Sequence, residues 1–259
     1  MKILVQSDDY GFTRGVTLAT YDAINRGLIT CTGLFANMPS ARDAVDLVRG
    51  NERLCLGIDI NIVSGRPCSD EREIPHLIDA ATGEFVSSQR LRANPDWGKT
   101  DPYPYDEVYV EAKSQIERFV GLTEGRLPEY IHGHSIGEAS ANYRQALHDL
   151  GKEYGIPFTR DVYARFGVVR LQGNGKKPFP LEEQAECDSE KKCLEQLEAH
   201  CHEEYVRIGG HCGYVDNDLL RYSTFTVVRA KDYVMYTSDK IKAWIEQHDA
   251  ELISYRDLK

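Results

Sequence analysis

Two adjacent carboxylates, Asp8 and Asp9, end an apolar run of Ile3, Leu4 and Val5 that reads as a buried strand, and Tyr10 and Gly11 follow them. Neighbouring residues on a strand point to opposite sides, so the pair can serve one site only where the strand has ended and the chain is turning. Gly11 permits that turn. Either acid could cap the helix that begins near Thr13, but a second acid has no capping task. Asp59 stands between Ile58 and Ile60 in another apolar run, with Asn61 two residues on. Burying an unpaired charge there costs several kcal/mol, so that carboxylate needs a partner, and a metal ion would be one. His132 and His134 lie two apart, which aims both imidazoles into one cavity if the strand is still extended. A lone histidine is more often a hydrogen-bonded core residue; beside carboxylates at neighbouring strand ends, this pair reads as part of a site.

The elements that must position these groups alternate along the chain. Strands are expected at 2–7, 29–36, 54–62, 129–133, 156–160, 205–209 and 250–254, each a short apolar, β-branched run. Helices are expected at 14–26, 40–49, 105–120, 139–153, 189–203 and 238–248; in 105–120, Val108, Ala112, Ile116 and Phe119 line one side. Such alternation implies parallel strands with helices packed outside, and about seven repeats with no break in composition favour a single-domain, TIM-like (β/α) barrel. Chemistry in such a barrel sits at the C-terminal strand ends. There the chain places Asp8 and Asp9, then Asp59 and Asn61, His132 and His134, Arg160, and His211. Two stretches near 63–104 and 163–188 fall outside the alternation and read as walls or lids of the site. The first, with Tyr105 just past its end, offers Trp97, Tyr103 and Tyr105 as platforms for a sugar ring, although tyrosine-rich stretches more often pack.

With 259 residues the chain can bury a large core, and 41% hydrophobic and 28% charged residues are ordinary for a globular protein. A net charge of -10 argues against nucleic acid or anionic membrane as partner, and the one basic cluster at 175–178 is too short to reverse this. A strand begins almost at once, with no apolar stretch of signal-peptide or membrane length, so a cytoplasmic protein is expected. Seven cysteines, an odd number without a Cys-x-x-Cys, suit that compartment. Cys187, Cys193 and Cys201 cluster, but free or buried thiols fit them better than a zinc knot.

SDDYGFTRGV with AINRGLITCTGLFANMPSA, LGIDINIVSGRP, IHGHS, GIPFTRD, GGHCGYVDNDL, Val227-Val228-Arg229 and ISYRDL run through nearly the whole chain. Their order and spacing resemble the YdjC-type carbohydrate deacetylases. The resemblance implies a distorted (β/α) barrel and one divalent metal ion, Mg²⁺, Zn²⁺ or Mn²⁺. It also implies removal of an N-acetyl group from an amino sugar or short N-acetylated oligosaccharide by attack of a metal-bound water. Carried over by position, Asp9, Asp59 and His134 match metal-binding positions, Asp8 the general base and His211 the acid. Three departures stand out. Asp59 occupies a position where histidine is usual, Tyr130 replaces a histidine, and His132 stands where aspartate is usual, which makes His132 a further candidate ligand. Carboxylate oxygen remains an acceptable donor to all three ions. Arg160, Asn61 and Tyr130 are the candidates for substrate contact, and a surface salt bridge is an equal alternative for Arg160.

Amide hydrolysis poses three problems: a weak nucleophile, an oxyanion, and an amine that cannot leave unprotonated. The ion would address the first two. Asp8 would take the proton of the water, and His211, with a reference pKa near ~6.5, would give one to the departing nitrogen. Two other readings stay open: a metal-dependent hydrolase or lyase acting on another amide or sugar derivative, and a non-catalytic sugar-binding relative. A small carbohydrate is the expected partner in each, and a homodimer is an assembly open to all of them.

Overall fold

The computed structural model describes residues 1–171 and 180–258. Its first repeats are β1 (Lys2–Tyr10), α1 (Arg14–Arg26), β2 (Cys31–Leu34), α2 (Ala41–Val48) and β3 (Cys55–Ile60). The 63–104 insert then forms a small hairpin, β4 (Ile78–Asp79) with β5 (Glu84–Phe85), and a short α3 (Ser88–Arg92) ahead of α4 (Tyr105–Leu122). β6 (Ile131–Gly133), α5 (Ala141–Tyr154), α6 (Thr159–Phe166) and β7 (Val169–Arg170) come next. Past 180 the chain forms α7 (Leu181–Glu186), α8 (Ser189–Ala199), β8 (Tyr205–Gly210), α9 (Asn217–Tyr222), α10 (Val227–Tyr236), α11 (Asp239–Gln247) and β9 (Glu251–Ile253).

Seven of these strands make one sheet in the order β6-β3-β2-β1-β8-β7, with β9 beside the start of β1, and every pairing in it is parallel. The sheet curls into a half-barrel with helices around it. Alternation along β1 sorts its side chains between two cores. Ile3 and Val5 join the large cluster under the helices, whereas Leu4 faces the concave interior with Cys31, Cys55, Tyr130, Tyr163 and Tyr255. Gln6 and Asp8 continue the inward row of Leu4, so the interior is apolar and aromatic at its floor and polar at its rim.

Local chemistry explains the helix that follows. Thr13, not either aspartate, caps α1: its Oγ1 accepts from the Val16 amide at 3.3 Å. Val16, Ala19, Thr20, Ala23 and Ile24 then form the buried stripe. The expected strand at 156–160 is absent. Pro157 has no N–H for a ladder, so the segment makes one bridge, Phe158 to Ile131, and turns into α6 at Thr159. α6, β7, α7, α9 and α10 were not expected from the sequence; β7 spans only two residues, and α7 and α9 six each, too few turns for a pattern to stand out.

The 63–104 insert is pinned to α4, where the buried Glu111 accepts from the Cys68 and Ser69 amides at 3.0 and 2.9 Å. Trp97, Tyr103 and Tyr105 pack against the main core, and the Tyr105 hydroxyl donates to Asp149 at 2.9 Å. The 163–188 stretch lies partly outside the described residues, as does the basic cluster at 175–178. All seven cysteines are free. Among the described residues no helix is long and apolar enough to cross a membrane.

Candidate active site

The two aspartates share one site through a bulge rather than a strand end. β1 continues to Tyr10, but its register with β2 breaks between Ser7 and Tyr10, and Asp9 takes a left-handed backbone with φ of 69°. A bulge of this kind re-aims a side chain that the regular alternation would send to the opposite face. Asp8 therefore stays on the inward row, and Asp9 turns to the same rim. The freed Asp9 amide donates to Asp59 Oδ2 at 2.8 Å.

Asp9 is fully buried between two cationic or imidazole groups. Its Oδ2 accepts from Arg229 Nη2 at 2.7 Å, and its Oδ1 lies 3.0 Å from His134 Nδ1 without receiving a hydrogen bond of good geometry. Burial opposes ionisation, but the charges of His134 and Arg229, with a weaker contribution from His211, hold the carboxyl well below the usual range. His134 is fixed in turn: its amide donates to the Tyr143 hydroxyl at 3.0 Å, and its ring meets the Phe35 ring edge-on at 4.7 Å. Arg229 passes between the rings of Phe12 and Phe225 and donates from Nε to the Phe225 carbonyl at 2.9 Å.

Asp8 is held by a polar network that rises from the barrel floor. Arg207 Nη2 donates to Asp8 Oδ1 at 3.0 Å and Oδ2 at 3.2 Å, and Gln6 Nε2 donates to Oδ1 at 2.6 Å. Gln6 Oε1 collects Arg207 Nε at 3.1 Å and the Tyr255 hydroxyl at 2.5 Å. His132 approaches from the far edge strand, with Nε2 3.7 Å from Asp8 Oδ2 and Nδ1 2.8 Å from Thr159 Oγ1. Burial, and next the nearby Arg207 guanidinium, pushes its imidazole down to about 3, so it is neutral at ordinary pH.

The remaining expected residues divide between the site and its supports. His211, at the end of β8, is held by its amide, which donates to Asp232 Oδ2 at 2.9 Å, and its ring meets Phe225 edge-on at 5.1 Å. Arg160, at the start of α6, pairs with Glu138 Oε2 at 3.0 Å near the rim. The Asn61 side chain anchors the loop after β3: Nδ2 donates to Asn37 Oδ1 at 3.0 Å and the Ser64 carbonyl at 2.8 Å, and Oδ1 accepts the Val63 amide at 3.1 Å. Tyr130 is buried in the interior floor, its ring 4.2 Å from that of Tyr255. Asp59 is also fully buried, and burial, together with the charges of Asp8 and Asp9, pushes its carboxyl well above the usual range. Among the described residues no group of three or more His, Cys, Asp or Glu side chains is arranged to hold a metal ion. Two donors nevertheless fit one. A buried carboxylate oxygen without a hydrogen bond, beside an imidazole nitrogen, suits a divalent ion that keeps part of its water shell.

Arg207, Gln6 and Glu138 were not singled out in the sequence, and Arg229 entered only within the Val227-Val228-Arg229 piece, with no role assigned. A signal existed for the first: Arg207 stands between Val206 and Ile208 in a buried strand, the same anomaly that marks Asp59. Gln6 breaks the apolar run of β1 in the same way. Nothing local marks Glu138.

A curled parallel sheet that gathers carboxyl groups and histidines at its C-terminal rim defines a (β/α)-barrel protein with its polar centre where such barrels carry out chemistry. The profile of the family described as YdjC-like protein matches residues 2–247, and the chain belongs to that family. Over its whole length it is 28% identical to Carbohydrate deacetylase 2 of Listeria innocua serovar 6a, spanning 99% of that protein. It is 26% identical to the Carbohydrate deacetylase of Vibrio cholerae serotype O1 strain O395, spanning 96% of it. The crystal structure of an Enterococcus faecalis V583 protein assigned to cellobiose-phosphate cleavage superposes with a TM-score of 0.79 at 22% identity. That match covers 99% of this chain and 98% of the other and is a likeness of fold.

Proposed function

We propose that this chain is a carbohydrate deacetylase that releases acetate from an N-acetylated amino sugar or short oligosaccharide, with the help of a divalent ion. The names of its full-length relatives support the activity. The observation that carries the chemistry is the juxtaposition, on one rim, of Asp8, the Asp9–His134 pair and His211. Asp9 and His134 would hold the ion, leaving its other positions to water and substrate. Bound there, a divalent ion acidifies water and polarises a carbonyl.

The chain's own residues account for the proton movements. Asp8, aimed by Arg207 and Gln6, accepts the proton of the attacking water at a carboxylate oxygen. His211 donates a proton to the sugar nitrogen as the C–N bond breaks, since the amine cannot leave as an anion. Arg229 keeps Asp9 ionised and oriented throughout. Arg160 and Glu138, paired at the mouth, offer a donor and an acceptor for sugar hydroxyls. The test is metal analysis of the purified protein together with acetate release from N-acetylglucosamine oligomers. Metal-loaded protein that frees no acetate from any N-acetylated sugar would reject the assignment.

A further inference from the structure

Asp9 adopts a conformation that L-residues avoid, at a cost of about 1–2 kcal/mol. The bulge that produces it also removes the Asp9 amide from the β1–β2 ladder. A buried amide must find an acceptor, and the one it finds is Asp59 Oδ2 at 2.8 Å, reached across from β3. The intervening strand makes room for this contact. Gly33 of β2 has no side chain, and a Cβ there would fall 1.7 Å from Asp59 Oδ1 and 2.2 Å from its Cγ. Three neighbouring strands thus build one niche: the bulge on β1, the glycine on β2 and the carboxyl on β3. Both Asp59 oxygens are buried in it: Oδ2 accepts the Asp9 amide, and Oδ1, which has no hydrogen bond, occupies the space that a Cβ on residue 33 would fill.

The geometry points to Asp59 as a positioning residue: it clamps the left-handed turn that sets Asp9 between His134 and Arg229, and does not itself lend an oxygen to an ion. The inference rests on the proposed ion at Asp9 and His134. It separates two roles that a carboxylate at this position could have. A carboxylate ligand binds a divalent ion largely through its negative charge, whereas a clamp needs only an acceptor of the right length. Asparagine keeps the acceptor and loses the charge.

The test uses Mn²⁺ as the probe and three full-length proteins: wild type, Asp59→Asn and Asp59→Ala. Mn²⁺ affinity is measured by titration calorimetry, turnover by acetate release, and folding by thermal melting. The clamp predicts that Asp59→Asn binds Mn²⁺ within about threefold of wild type. It predicts that Asp59→Ala weakens Mn²⁺ binding by about 10–100-fold, the usual effect of losing a group that orients a ligand, and lowers kcat with little change in the KM for sugar. Gly33→Ala, which evicts the Asp59 carboxyl, should reproduce the alanine result. If Asp59→Asn loses a hundredfold or more in Mn²⁺ affinity while melting as wild type does, Asp59 is a ligand and the inference is overturned. It is overturned equally if Asp59→Ala binds Mn²⁺ and turns over like wild type. Should the alanine variant not fold, the asparagine and Gly33→Ala variants decide the matter. Failure of wild type to bind Mn²⁺ or to release acetate would instead count against the proposed function.

Discussion

Replacing Arg229 with methionine keeps an unbranched chain between the rings of Phe12 and Phe225 but removes the guanidinium that faces Asp9. The side chains of Arg229 and Asp9 are 3% and 0% exposed, so solvent cannot take over the lost charge. Breaking a buried pair by removing one partner costs about 3–5 kcal/mol, because the other charge is left uncompensated. In a domain of this size about 1 kcal/mol moves Tm by about 2–4 °C, so the variant in EDTA should melt roughly 6–20 °C below wild type. A cation beside Asp9 would substitute for the missing guanidinium. The variant should therefore recover more on adding Mn²⁺ or Zn²⁺ than wild type gains, toward the ~2.7 kcal/mol that a ligand at a hundredfold its Kd supplies. Differential scanning fluorimetry with and without the ion measures both effects. A variant that melts within about 2 °C of wild type in EDTA would refute the account of Asp9 as a buried, ionised group. Equal ion-induced shifts in the two proteins would show that the ion does not meet Asp9.

His211→Ala should keep its metal and lose turnover by about a hundredfold or more, since the proton it gives is needed only as the amine leaves; wild-type kcat would move the acid elsewhere. Asp9→Asn should strip or weaken the metal, whereas Asp8→Asn should leave a loaded, inactive protein, and equal metal loss in both would mean that both coordinate. The His132 imidazole, held at about 3 in the fold against ~6.5 in the unfolded chain, makes the unfolded state bind the proton first on acidification. Stability should accordingly fall as pH drops through that window, by up to ~1.4 kcal/mol per pH unit from this group, and His132→Asn should flatten the slope in urea titrations. An unchanged slope in that variant would assign the acid sensitivity to other groups.

The alternation of strands and helices was legible in the sequence because it is local: a strand buried on both faces must be apolar throughout, and a helix on a sheet must carry a stripe. The rim positions of Asp8, Asp9, His134 and His211 followed, since strand ends in such a fold face one direction. The strand expected at 156–160 failed where Pro157, a single residue without an N–H, outweighed the apolar run around it. Asn61 and Tyr130 sit at the right places along their segments, yet one anchors a loop and the other fills the floor. Which counterion meets which acid lay beyond any local signal, even though Arg207 is conspicuous in its apolar strand. Arg207 meets Asp8 across 199 residues and Arg229 meets Asp9 across 220, and no spacing rule connects them. Nor does composition say which oxygen of Asp59 takes the Asp9 amide. That depends on one left-handed residue, one missing Cβ at Gly33 and the registers of three strands, which come together only when the sheet closes around them.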